Sequence, residues 1–93
     1  MNIQQLKTLL EGKTLEIEFI SDPGHGWIKI SKKIRLGLKF TPYSYQDKNY
    51  LYLEEDLDAS KYLDKLKANG IKYTFKETIL NHESSIRNME PLS

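Results

Sequence analysis

Apolar positions in this chain switch period several times, and each switch predicts an element. Ile3, Leu6, Leu9 and Leu10 lie at helical spacing, which predicts a short amphipathic helix over residues 3–11. Gly12 is placed to end it, because glycine takes a left-handed conformation at little cost. Leu15, Ile17 and Phe19 then alternate with Glu16 and Glu18, the mark of a strand with one buried and one wet face. Ser21-Asp22-Pro23-Gly24-His25-Gly26 reads as a turn whose two glycines admit conformations other residues avoid. Trp27 to Ser31 returns as a second strand, so the pair forms a hairpin carrying His25 in its loop.

In residues 32–41, Ile34, Leu36 and Leu38 alternate as in a strand, but Gly37 and the basic residues fit a short turn or helical piece equally well. Tyr50 to Glu55 predicts a third strand, with Leu51 and Leu53 on one face and Tyr50 and Tyr52 on the other. Asp56 or Asp58 is placed to cap the next helix, whose stripe runs through Ala59, Tyr62, Leu63 and Leu66 and stops at Asn69-Gly70. Ile71, Tyr73, Phe75 and Ile79 mark a fourth strand, expected in the central sheet with Tyr73 and Phe75 inward. Ile86, Met89 and Leu92, at spacing three, suggest that residues 81–93 form a docked helical turn ended by Pro91 or an ordered arm. The expected fold is α+β, in the order α-β-β-β-α-β. It is a two-layer sandwich of about four mainly antiparallel strands under two helices, in a single domain over 1–93.

Ninety-three residues make a small core, so a functional site is expected in a surface groove or loop cluster. The absence of cysteine excludes disulfides, thiol chemistry and thiolate zinc sites. No apolar run approaches the ~20 residues needed to cross a bilayer, and Met1 to Gln5 lack the features of a signal peptide. No membrane partner is therefore expected, and the cytoplasm is the expected location. Net charge is +1, against a dedicated nucleic-acid binder. The charge is unevenly placed: Lys29, Lys32, Lys33, Arg35 and Lys39 form a basic run, and Glu54, Glu55, Asp56 and Asp58 an acidic one. Nucleic-acid affinity through the basic run is expected to be weak.

His25 between two glycines is expected to project into solvent, where proton transfer or ligand contact is open to it. Trp27 is either core or the wall of a site. Glu54, Glu55 and Asp56 are either a carboxylate site or simply acids favoured near a helix N-terminus. Strand alternation would put Glu54 and Asp56 on one face and Glu55 on the other. His25 and His82 with Glu54 or Asp56 show no metal-ligand spacing, so neither a metal nor a cofactor is expected. Ser84 and Ser85 read as caps for the segment that follows, since no nucleophile elbow is present. Tyr43, Tyr45, Tyr50 and Tyr52, near the basic run, either cover a sheet face or contact a partner.

Asp22-Pro23-Gly24-His25-Gly26-Trp27, Tyr43-Ser44-Tyr45, Tyr52-Leu53-Glu54-Glu55-Asp56 and Ser84-Ser85-Ile86-Arg87 together resemble a family of small uncharacterised proteins of phages, prophages and plasmids. The resemblance spans roughly residues 16 to 89; members carry a longer helical stretch where this chain has only Lys32 to Leu38. It implies a mobile-element origin and a bacterial cytoplasm, and no reaction. The resulting expectation is a non-enzymatic accessory protein that occupies a host protein, such as a defence component. Its surface would comprise His25, Trp27, Tyr43, Tyr45, Glu54, Glu55, Asp56 and Arg87. Two alternatives are a small nucleotide-binding protein or enzyme, with His25 as acid or base and Arg87 on a phosphate, and a minor nucleic-acid-associated protein.

Overall fold

A computed structural model describes residues 1–92. Helix α1 (Ile3–Leu10) opens with a capping box: Asn2 Oδ1 accepts from the Gln5 N–H, and Gln5 Oε1 accepts from the Asn2 N–H, both at 2.8 Å. Glu11 and Gly12, both at positive φ, turn the chain out of the helix. Strands β1 (Leu15–Ser21) and β2 (Gly26–Ser31) form the expected hairpin. A 3-10 turn (Lys32–Ile34) follows, and the chain then bends through left-handed Leu36 and Gly37. Strands β3 (Tyr45–Gln46) and β4 (Tyr50–Glu54) pair with each other, and α2 (Asp58–Ala68) and β5 (Tyr73–Ile79) come next. A second 3-10 turn (Ser85–Asn88) and β6 (Glu90–Pro91) complete the described chain.

The class is α+β, with two helices on a six-stranded mixed sheet of order β5-β1-β2-β4-β3-β6. The expected four strands are β1, β2, β4 and β5. The two extra ones, β3 and β6, are two residues each and too short to produce any alternation. Alternation along β1, β2 and β4 turns Ile17, Ile28, Ile30, Leu51 and Leu53 to one face, where Leu6 of α1 and Ala59, Tyr62 and Leu66 of α2 cover them. The Tyr62 hydroxyl donates to the Ile34 carbonyl at 2.6 Å, which settles the one polar atom that burial of this ring brings in. The other face is covered at one end only. There Trp27, Tyr52 and Ile86 form a second small cluster with Ile20, Tyr45 and Met89, so the C-terminal segment packs against the sheet opposite the helices.

Two expectations need correction. Strand β5 belongs to the sheet, as expected, but at its edge, parallel to β1, where Phe75 does not turn inward. Phe75 shares ring contacts with Phe19 and Tyr73 but remains 43% exposed. Alternation assigns a side chain to a face; it does not say whether a helix covers that part of the face. Phe75→Ala should therefore cost only about 1 kcal/mol, whereas Leu53→Ala should cost about 3 kcal/mol. Urea denaturation of the two variants checks this, and equal losses would contradict the edge placement. The second correction concerns the start of α2. Leu57 is its N-cap and makes no side-chain cap bond. Glu54 instead accepts from the backbone N–H groups of Asp56 and Leu57, and Asp58 turns inward.

Candidate functional site

The hairpin loop is built around Asp22. Its Oδ1 accepts from the N–H groups of Gly24 and His25 at 3.0 and 2.9 Å, a turn closed by an aspartate. The same carboxylate reaches the far end of the chain. Arg87 donates to it in bidentate fashion, Nη2 to Oδ1 at 2.7 Å and Nε to Oδ2 at 2.8 Å, and the Ser84 N–H donates to Oδ2 at 2.8 Å. The Arg87 guanidinium and these N–H groups hold the Asp22 carboxyl far below the usual carboxylate range. Ser84 also caps the 3-10 turn, as expected, accepting from the Ile86 N–H.

Neither loop glycine takes a positive φ, so conformational freedom does not explain them. Close approach does. A Cβ on Gly24 would stand 3.0 Å from Arg87 Nη2, and one on Gly26 would stand 2.9 Å from Phe19 Cζ and 3.0 Å from Glu55 Oε2. His25 is exposed, as expected, but its ring is not isolated. It lies nearly parallel to Trp27, with centroids 5.9 Å apart. Arg87 lies at the same distance from the Trp27 ring, so the indole, 1% exposed, is covered by both.

A second carboxylate organises the opposite wall. Asp58, buried at the start of α2, accepts from the Thr41 N–H, the Thr41 hydroxyl and the Ser44 hydroxyl. Ser44 Oγ in turn accepts from the Glu54 N–H at 2.9 Å. Ser44 stands between Tyr43 and Tyr45, and Glu54 leads into Glu55, Asp56 and Leu57. One buried knot therefore fixes both the tyrosine segment and the acidic corner.

Between the two walls lies a cleft of about 370 Å³. All eight residues singled out in the sequence line it: His25, Trp27, Tyr43, Tyr45, Glu54, Glu55, Asp56 and Arg87. Gly24, Gly26 and Leu57 complete the lining. Strict alternation would have split the acids between two faces, but β4 ends at Glu54 and the turn brings all three to one rim. The other tyrosines go elsewhere. Lys29 Nζ sits 4.2 Å from the Tyr50 ring centroid, and Tyr52 is buried with its hydroxyl donating to Asp47 at 2.7 Å. No member of the basic run lines the cleft. His82 lies outside it, and among the described residues no group of three or more His, Asp or Glu side chains is arranged to hold a metal ion.

Searches against family models, curated proteins and solved structures return no match. No helix of the described residues is long and apolar enough to cross a membrane.

Proposed function

We propose that the protein is a non-catalytic binding module whose cleft receives part of a partner protein. The observation that carries this reading is the state of the polar groups in the cleft. Arg87 spends its bidentate edge on Asp22, and Glu54 spends both oxygens on backbone N–H groups. These groups hold the walls in place and are not poised on an open reacting centre. What the cleft leaves accessible is an aromatic and acidic rim: Tyr43, 69% exposed, with His25, Glu55, Asp56 and Leu57. Exposed aromatics beside a concave surface are common anchors of protein contacts. A nucleotide phosphate placed on Arg87 would have to share the guanidinium with Asp22 while facing three further carboxylates, which favours the protein partner. The resemblance to phage and plasmid proteins suggests that this partner is a protein of a bacterial host.

The test is capture from a bacterial lysate by the wild-type chain and by His25→Ala and Tyr43→Ala, with bound protein and bound small molecules both identified. Both side chains are exposed, so each variant should keep its stability to within about 0.5–1 kcal/mol. Each should lose the captured protein. A nucleotide recovered in place of a protein, or a protein held equally by all three, would overturn the reading.

A further inference from the structure

The chemistry of the occupant can be read from the charge of the rim, given that the cleft is a partner-binding surface. We infer that the cleft takes an arginine side chain of the partner, its guanidinium lying against Tyr43 and Tyr45 and facing Glu55 and Asp56. The lining holds three carboxylates and one guanidinium, and that guanidinium is already paired with Asp22. Glu55 and Asp56 are exposed and make no salt bridge; Arg87 with Asp22 is the one salt bridge among the described residues. The rim therefore presents negative charge that no salt bridge among the described residues neutralises.

The form of that charge selects among cations. The acids are spread along a rim and do not converge on a point as a metal ion requires. A planar guanidinium suits a spread site, because it stacks on an aromatic ring and bonds a carboxylate with the same group. Of the two tyrosines in the lining, Tyr43 is exposed and Tyr45 half-buried, while Trp27 is covered by His25 and Arg87. At about 370 Å³ the cleft has room for one long side chain and lies at the small end of ligand pockets, which run from about 300 to 1,000 Å³.

Trp27 adds an independent observation. Its Nε1 is the one buried side-chain polar atom without a hydrogen-bond partner among the described residues, and Trp27 belongs to the lining. A buried donor left unpaired is unfavourable. His25 and Arg87 cover the indole, so an acceptor carried by the occupant reaches this donor only as those side chains shift; a peptide backbone carries such acceptors and a free guanidinium does not.

The test uses a blocked Gly-Gly-Arg-Gly-Gly peptide, its citrulline and lysine counterparts, and inorganic phosphate as probes. Each is titrated into the intact chain at low salt and followed by backbone amide shifts and by fluorescence of Trp27, the only tryptophan. The arginine peptide should shift the amides of Gly24 to Trp27, Tyr45 and Glu55, and the citrulline peptide at the same concentrations should not. Combining Glu55→Gln with Asp56→Asn should weaken the arginine peptide about tenfold, and added salt should weaken it further. Citrulline or lysine binding as tightly as arginine, phosphate shifting the same amides more strongly, or silence of the cleft amides toward the arginine peptide would overturn the inference. If the peptide is silent while lysate capture still depends on Tyr43, the cleft remains a partner surface and only the arginine assignment falls. If the peptide titrates the cleft while capture ignores Tyr43 and His25, the arginine chemistry stands and the partner reading fails.

Discussion

Asp22→Asn should produce one of the two large losses of stability expected from polar substitutions in this chain, a fall in melting temperature of at least about 10 °C. The carboxylate accepts five hydrogen bonds from three separate places: the hairpin loop, the Ser84 N–H and the Arg87 guanidinium. Asparagine keeps the shape but replaces one acceptor oxygen with an NH₂ group. That donor then faces N–H groups, and the half-buried Arg87 charge loses its one ion-pair partner among the described residues. Arg87→Lys is the informative comparison. It removes the planar fork and leaves all three backbone donors with their acceptor, so it should cost less. Equal losses from the two would mean that the ion pair, and not the backbone bonds, carries the site.

The same carboxylate predicts an acid limit. The folded pKa of Asp22 is depressed, chiefly by Arg87, and that of Asp47 is lowered, chiefly by the Tyr52 hydroxyl. A depressed carboxylate contributes stability that is fully present above its unfolded value, about 3.9. The contribution is lost as pH falls from there toward the folded value, because the unfolded chain then binds the proton and the folded chain does not. The melting temperature should therefore be flat with respect to these groups above about pH 5 and should fall below about pH 4. Asp22→Asn should make that acid fall shallower. Thermal melts across this range check both the window and the sign.

How far such features can be read from the sequence depends on whether their cause is local. The hairpin loop was legible because Asp-Pro-Gly turn grammar acts within a few residues, and it placed His25 and Trp27 at once. The partner of Asp22 was not legible, since Arg87 lies 65 residues away and no periodicity links the two. The glycines show the same limit. Their positions marked a turn, but their function, room for Arg87, Phe19 and Glu55, depends on packing from other elements. Strand β5 had a clean alternation and so gave the right element, while its edge position depends on how many neighbours the sheet supplies. Strands β3 and β6, two residues each, are too short to carry a pattern and are placed by pairing with their neighbours. The acids of the cleft were visible as a run, and their meeting on one rim depended on where β4 stops.

Asp58 shows a local rule yielding to a tertiary one, and it supports the second large prediction. Its position suits a helix cap, yet its carboxylate points into the interior and gathers Thr41 and Ser44. Asp58→Ala would leave two hydroxyl donors and a backbone N–H without their acceptor in a site where Ser44 is wholly buried. The expected cost is about 3 kcal/mol, a large share of the ~5–10 kcal/mol that holds a domain of this size. Ser44→Ala removes one donor to Asp58 and the acceptor of the Glu54 N–H, and should cost about 2 kcal/mol. Because the two side chains share one bond, the double variant should be less destabilised than the sum of the singles, with a coupling of about 1 kcal/mol or more. Urea unfolding of the four proteins measures that coupling. A second readout separates the cleft from general stability. At temperatures where Asp58→Ala is still folded, the amides of Tyr43, Tyr45, Glu55 and Asp56 should shift, while those of Gly24 and His25, held by Asp22, should not. Additive losses, or shifts on both walls alike, would show that Asp58 does not tie the tyrosine segment to the acidic corner.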